Sequence, residues 1–307
     1  IFLLSIPMIL EMIGESLFAI VDAFFVSKIS IEAIATVGLT ESVLTLIYSV
    51  AIGLSSAATA IVSRRTGEGN PEAAAHAVSQ VILISLVLSA LVGIPGAIFA
   101  EQILALMGGE PHLIEQGALF TRLMFISSPA VILLYTLSGA LRGAGDASTA
   151  MRSIILANII NMALVALLIM GLKFGVEGAA IATTIGRTIG VLYQLWSLQK
   201  GQGNLRLELR LLKPDWAVLK NLIAIGSGGT GQFLIQSASW IFLTRIISSF
   251  GSDAVAGYTI AIRIIVFTIL PAWGMANAAA TLMGQNLGAN QPDRAEKSVW
   301  RTAFYNM

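Results

Sequence analysis

The sequence predicts an all-α membrane protein, a polytopic helical bundle of two parallel six-helix lobes with the second lobe incomplete in this chain. Three observations predict it: an apolar composition, eight apolar runs of membrane length, and an internal repeat. Hydrophobic residues make up 56% of the 307 positions and charged residues only 11%, with a mean hydropathy of +0.83, far from the balance of a soluble globular chain. Runs of about 20 apolar residues or more, enough to cross a bilayer core of roughly 30 Å, fall at about 1 to 26, 39 to 63, 77 to 100, 117 to 141, 151 to 172, 176 to 197, 219 to 248 and 254 to 283. The short alternating segments of a membrane β-barrel are missing, so each run is expected to be a helix whose backbone hydrogen bonds close internally.

The positions of Lys and Arg orient the bundle. Loops after even-numbered spans hold twelve, namely Arg64, Arg65, Arg142, Arg152, Lys200, Arg206, Arg210, Lys213, Lys220, Arg294, Lys297 and Arg301. Loops after odd-numbered spans hold Lys28 and Lys173, and Arg122, Arg187, Arg245 and Arg263 lie within spans. The even loops, and with them the start of the first helix, are therefore expected on the cytoplasmic side of a cell membrane (inner or plasma membrane). The net charge of +1 gives no reason to invoke nucleic acid, and the absence of cysteine excludes thiolate sites and disulfides.

A shift of 221 residues aligns the chain with itself without a gap. Ala33, Ala35, Gly53, Ala57, Ala58, Gly67, Pro71 and Ala74 meet Ala254, Ala256, Gly274, Ala278, Ala279, Gly288, Pro292 and Ala295. Six spans make up the first copy, so the second starts on the same side of the membrane, the parallel arrangement found in some secondary transporters. The expected organisation is an N-terminal lobe over 1–197, a cytoplasmic linker over 198–218, and the start of a second lobe over 219–307. Since the second copy is covered only in part and the chain begins with Ile1, it is expected to belong to a protein of about twelve helices.

The first span carries Glu11, Glu15 and Asp22. At 100° per residue, Glu15 and Asp22 lie about 40° and about 20° around the axis from Glu11, so all three share one face. A charge at the bilayer centre costs roughly 2.5 to 3.5 kcal/mol on insertion scales, so this face should line a cavity or a helix interface. Buried ion pairs with Arg122, Arg187, Arg245 or Arg263 are one reading, strongest for Glu11 and Glu15. The other is a group that takes up a coupling ion, for which Asp22, nearest the outer loop, is the sharper candidate. Under the 221 shift the three acids fall on Gln232, Gln236 and Leu243, so a coupling ion is expected in the first half.

Four stretches together resemble the multidrug and toxic compound extrusion (MATE) family: VDAFFVSKISIEAIATVGL from Val21, LRGAGDASTAM from Leu141, GVEGAAIATTIG from Gly175 and MGQNLGANQPDRAEKS from Met283. The resemblance implies a V of two six-helix lobes that exports organic cations or drugs in exchange for H⁺ or Na⁺ by alternating access. It implies that Asp22 is the coupling carboxylate, with Asn161 and Thr183 in support, and that Asp22 ligates metal only if the ion is Na⁺. Val165 stands where many relatives have a second acid, and Gln236 where some have a helix-7 glutamate. A hard cation takes several oxygen ligands, so these departures favour H⁺. Glu11 and Glu15 are auxiliary acids that the resemblance does not cover.

The remaining motifs have bland readings. GSGGTG at 226–231 lies in a membrane span, where a phosphate cradle has no strand to follow, and is expected to serve close helix packing. Asp146 is expected to cap the helix after it, and Pro7, Pro129 and Pro271 to mark bends. His76 and His112 fall in loops on opposite sides of the membrane. No Ser/His/Asp, HExxH or P-loop pattern appears, so neither an enzyme nor a cofactor is expected. The partners are organic cations or drug-like compounds and the lipid bilayer, and the expected state is a monomer. Two other functions stay open: a lipid-linked oligosaccharide flippase, which needs several cations around a pyrophosphate, and a non-transporting scaffold in which the acidic face is packing.

Overall fold

A computed structural model describes residues 1–201, 205–207, 212–248, 250 and 252–307. The described residues form helices without strands, the fold of a helical membrane protein. In chain order they are α1 (Phe2–Val26), α2 (Ile31–Gly67), α3 (Pro71–Ile98), α4 (Ala100–Leu106), α5 (Pro111–Ile126), α6 (Ser128–Gly143), α7 (Ala147–Val165), a π-helical turn (Ala166–Gly171), α8 (Val176–Lys200), α9 (Trp216–Ser248), α10 (Ser252–Gly288) and α11 (Pro292–Asn306). Four stretches, Ala33–Gly67, Pro71–Ile98, Pro111–Gly143 and Ala147–Gly171, are long and apolar enough to cross a membrane on length and composition. The other four expected spans correspond in position to α1, α8, α9 and α10.

Helix boundaries follow local chemistry. Ser30 Oγ accepts from Ala33 N–H at 3.0 Å, Asn70 Oδ1 from Ala73 N–H at 2.9 Å, and Asp146 Oδ1 from Thr149 N–H at 3.1 Å. Each satisfies a donor that the first turn leaves open. Pro7 and Pro271 lie inside α1 and α10, whereas Pro129 sits in the first turn of α6. The fourth span is therefore two helices meeting at Ser127 rather than one, because proline tolerates a first turn and interrupts a helix interior. The short α4 and the π-helical turn after α7 have no counterpart in the sequence reading.

The 221-residue repeat reappears in the backbone. α2 and α10 have bounds that coincide after the shift, and α3 and α11 both start on proline, at 71 and 292. Gly69 and Asn290, also 221 apart, both take the left-handed conformation, at φ 68° and 57°. The contacts between the copies are reciprocal. A Cβ added to Gly53 would collide with Thr230, and one added to Gly274 would come within 2.8 Å of the Ile9 backbone; Ile9 and Thr230 are themselves 221 apart. Likewise a Cβ on Gly67 would strike the carbonyl of Gln285, and one on Gly288 the carbonyl of Arg64. These glycines let α2 cross α10, α1 cross α10 and α9 cross α2 at backbone distance. The GSGGTG segment packs in this way, with a Cβ on Gly229 only 3.0 Å from Gly53.

The segment after α8 is tied to α3 by polar side chains. Gln80 on α3, fully buried, donates to the Lys213 carbonyl at 2.8 Å and accepts from Asp215 N–H at 2.9 Å. Asp215 in turn accepts from Ala217 N–H at 2.9 Å at the head of α9.

Candidate functional site

The acidic face of α1 points inward, its glutamates meeting side chains of α6 and α8. Glu11 is 1% exposed and accepts from Arg142 Nη1 at 2.5 Å, while Arg142 Nη2 donates to Ser55 Oγ at 3.1 Å. Arg142 had been expected in a cytoplasmic loop. α6 instead continues to Gly143, and Gly139 and Gly143 let it press on the backbone of α2 at Ser55 and Thr59, which carries Arg142 inward until it is buried.

Glu15 lies one turn further along. Its two oxygens accept from Arg187 Nη1 at 3.4 Å, Arg187 Nη2 at 3.3 Å and the Tyr135 hydroxyl at 3.1 Å. Arg187 is 3% exposed, and its guanidinium stands over the Phe18 ring at 5.2 Å and the Tyr135 ring at 5.5 Å, within cation–π range. Tyr48 meets Tyr135 edge to face at 6.0 Å. Arg187 Nε is buried without a hydrogen-bond partner.

Asp22 differs from both. Its Oδ1 is buried with no hydrogen-bond partner, and the fields of Glu41 and Arg187 reach it. Asn161 and Thr183 are brought into direct contact, Asn161 Nδ2 donating to Thr183 Oγ1 at 2.9 Å. The approach of α7 to α8 depends on Gly186, where a Cβ would come within 2.6 Å of the Ala157 carbonyl and 3.1 Å of Asn161 Cβ. Asn161 Oδ1 is buried and unpartnered, as is Asn158 Nδ2. Two oxygens of the predicted coupling set, one on α1 and one on α7, therefore hold unused acceptor capacity in the interior.

Of the four in-span arginines offered as partners for the acids, Arg187 serves Glu15 and Arg122 pairs instead with Glu101 at 3.4 Å. The side chains of Arg245 and Arg263 lie outside those described. Sequence reasoning missed Arg142, Tyr135 and Tyr48; the in-span position of Arg187 was the one signal available for this cluster. Among the described residues no three His, Cys, Asp or Glu side chains converge as a metal centre would require. His76 lies 3.7 Å from Asp215 and His112 lies 3.5 Å from Glu110.

The family model MatE matches residues 7–167 and 230–307. The chain is 27% identical over 305 residues to the probable multidrug resistance protein YoeA of Bacillus subtilis, covering 97% of this chain and 66% of that one. It is 24% identical over 303 residues to the FAD transporter of Shewanella oneidensis, covering 96% and 66%. A solved structure, MATE in complex with MaD3S, superposes with a TM-score of 0.93 at 28% identity, covering 97% of this chain and 68% of that one. The chain thus spans about two thirds of the length of these relatives.

Proposed function

The chain belongs to the MatE family, a family of membrane transporters, and on that premise we propose that the whole protein exports drug-like organic cations in exchange for H⁺, with Asp22 as the group that takes up the coupling ion. One observation carries the reading: Glu11 and Glu15 are each held by a buried arginine, whereas Asp22 has no cation paired with it; buried unpartnered oxygens occur on both Glu11 (Oε2) and Asp22 (Oδ1), but only that of Asp22 belongs to a carboxylate without an ion pair. A partly buried carboxylate whose enclosed oxygen keeps a spare lone pair is poised to bind a proton or a cation. Asn161 Oδ1 offers the second unused oxygen, and Thr183 orients the amide through its hydrogen bond. Two such oxygens suit a proton better than Na⁺, which as a hard cation takes several oxygen ligands.

By linkage, the ion moves the protein between inward- and outward-open states only through its different affinity for the two. In this reading α1 starts on the cytoplasmic side of the cell membrane. Residues 1–197 form one lobe, 198–218 the linker and 219–307 the start of the second, and the protein works as a monomer. The flippase reading is weakened because Arg142, Arg187 and Arg122 are each paired with a glutamate, leaving their charges neutralised rather than gathered for a pyrophosphate.

The test is ethidium efflux from cells making the full-length protein, wild type against Asp22→Asn, with the proton and sodium gradients collapsed in turn. Loss of efflux at normal membrane abundance, together with failure of the wild type when the proton gradient collapses, is expected. Unchanged efflux in Asp22→Asn would overturn the assignment, and a variant that fails to assemble would revive the scaffold reading.

A further inference from the structure

The surroundings of Glu15 are those of a cation receptor that is already filled. One carboxylate and the faces of Phe18 and Tyr135 enclose a planar cation, the guanidinium of Arg187, and Tyr48 packs perpendicular to Tyr135 behind them. Aromatic faces with a carboxylate behind them are how proteins recognise organic cations generally. The hold on the occupant is loose. Both Arg187–Glu15 contacts are 3.3 to 3.4 Å, long for charge-assisted hydrogen bonds of about 2.7 to 2.9 Å, and Arg187 Nε has no acceptor. An unused acceptor, Asp22 Oδ1, stands on the same face of α1 two turns away and within the field of Arg187.

Resting on the export reading above, we propose that the enclosure formed by Glu15, Phe18, Tyr135 and Tyr48 is a binding site for planar aromatic cations, and that Arg187 is a tethered competitor which the incoming cation displaces. The displaced guanidinium turns towards Asp22, where its charge and its free Nε meet the unpartnered oxygen. Tyr48 also borders a cavity of about 10 Å³, the size of one water, with Leu44, Ile47, Met124 and Val131, so the apolar part of the ligand takes space that Arg187 and the surrounding rings vacate. The repeat makes the site one-sided, since Gln236 stands in the second copy where Glu15 stands in the first.

Equilibrium binding of ethidium to the purified full-length protein at a single fixed pH, read by fluorescence anisotropy, tests the assignment. Glu15→Gln removes the receptor charge and should weaken binding at least tenfold. Arg187→Gln removes the competitor and should tighten it by a similar factor. Asp22→Asn takes away the place to which the guanidinium moves and should weaken binding several-fold. The double variant Glu15→Gln with Arg187→Gln removes both charges of the pair and strands neither, so it should fold even where a single variant does not, and it should bind ethidium at least tenfold more weakly than wild type. Wild-type affinity in the double variant, or weaker binding in a folded Arg187→Gln protein, would overturn the proposal. The coupling assignment fails separately, through undiminished efflux in Asp22→Asn.

Discussion

Helices α1 and α9 occupy equivalent places in the two copies of the repeat, yet only α1 bears acids. On α1, Glu11 is buried against Arg142, Glu15 is held by Arg187 and Tyr135, and Asp22 keeps a buried free oxygen. On α9 the same positions hold the uncharged Gln232, Gln236 and Leu243. The backbone crossings nevertheless match pair for pair, Gly53 on Thr230 answering Gly274 on Ile9, and Gly67 on Gln285 answering Gly288 on Arg64. Duplication has kept the way the helices cross and confined the charged chemistry to one side.

The largest difference between the copies should be in stability. Breaking one partner of a buried ion pair strands the other charge, at a cost of about 3 to 5 kcal/mol, so Glu11→Ala should lower the unfolding midpoint in detergent markedly. Gln232→Ala at the uncharged counterpart strands no charge and should cost clearly less, about 1 kcal/mol. Equal losses at the two sites would erase the contrast.

The crossings should behave alike instead. Gly67→Val and Gly288→Val each drive a side chain into a carbonyl of the facing helix and should each cost roughly 1 to 3 kcal/mol or more, as overpacking does. Thermal unfolding of the two variants measures whether the pseudo-symmetry is energetic as well as geometric.

Smaller effects belong to the helix starts. Asn70 caps α3, whereas its counterpart Gln291 begins α11 with no side-chain cap. Asn70→Ala should cost about 1 kcal/mol and Gln291→Asn should return part of that amount to α11, both readable by hydrogen exchange over the first turn.

Much of this was legible in the chain. The helix positions, the 221-residue repeat, the inward face of α1 and the Asp146 cap follow from patterns that act within a few turns or recur along the sequence. Asn161 and Thr183 were singled out through family resemblance, but their direct contact was not foreseen, and Gly186 is the local reason it forms. Arg142 was misplaced because LRGAGD looks like a loop; only the packing of Gly139 and Gly143 on α2 shows that the helix runs through it. The aromatic frame of Arg187 draws Phe18, Tyr48, Tyr135 and Arg187 from four helices, and no local pattern links residues that far apart. The break at Ser127 and the π-helical turn at Ala166–Gly171 likewise depend on how neighbouring helices meet.

Gln80 has a mechanical consequence. With both ends of its amide engaged by the segment that leads into α9, and Asp215 fixing the first turn of that helix and lying 3.7 Å from His76 of α3, the base of α9 is pegged to α3. A rocking motion of α9 against the first six spans then has a fulcrum at residues 213–215. Its sweep grows with distance from that peg, leaving the far end of the helix the most free to travel.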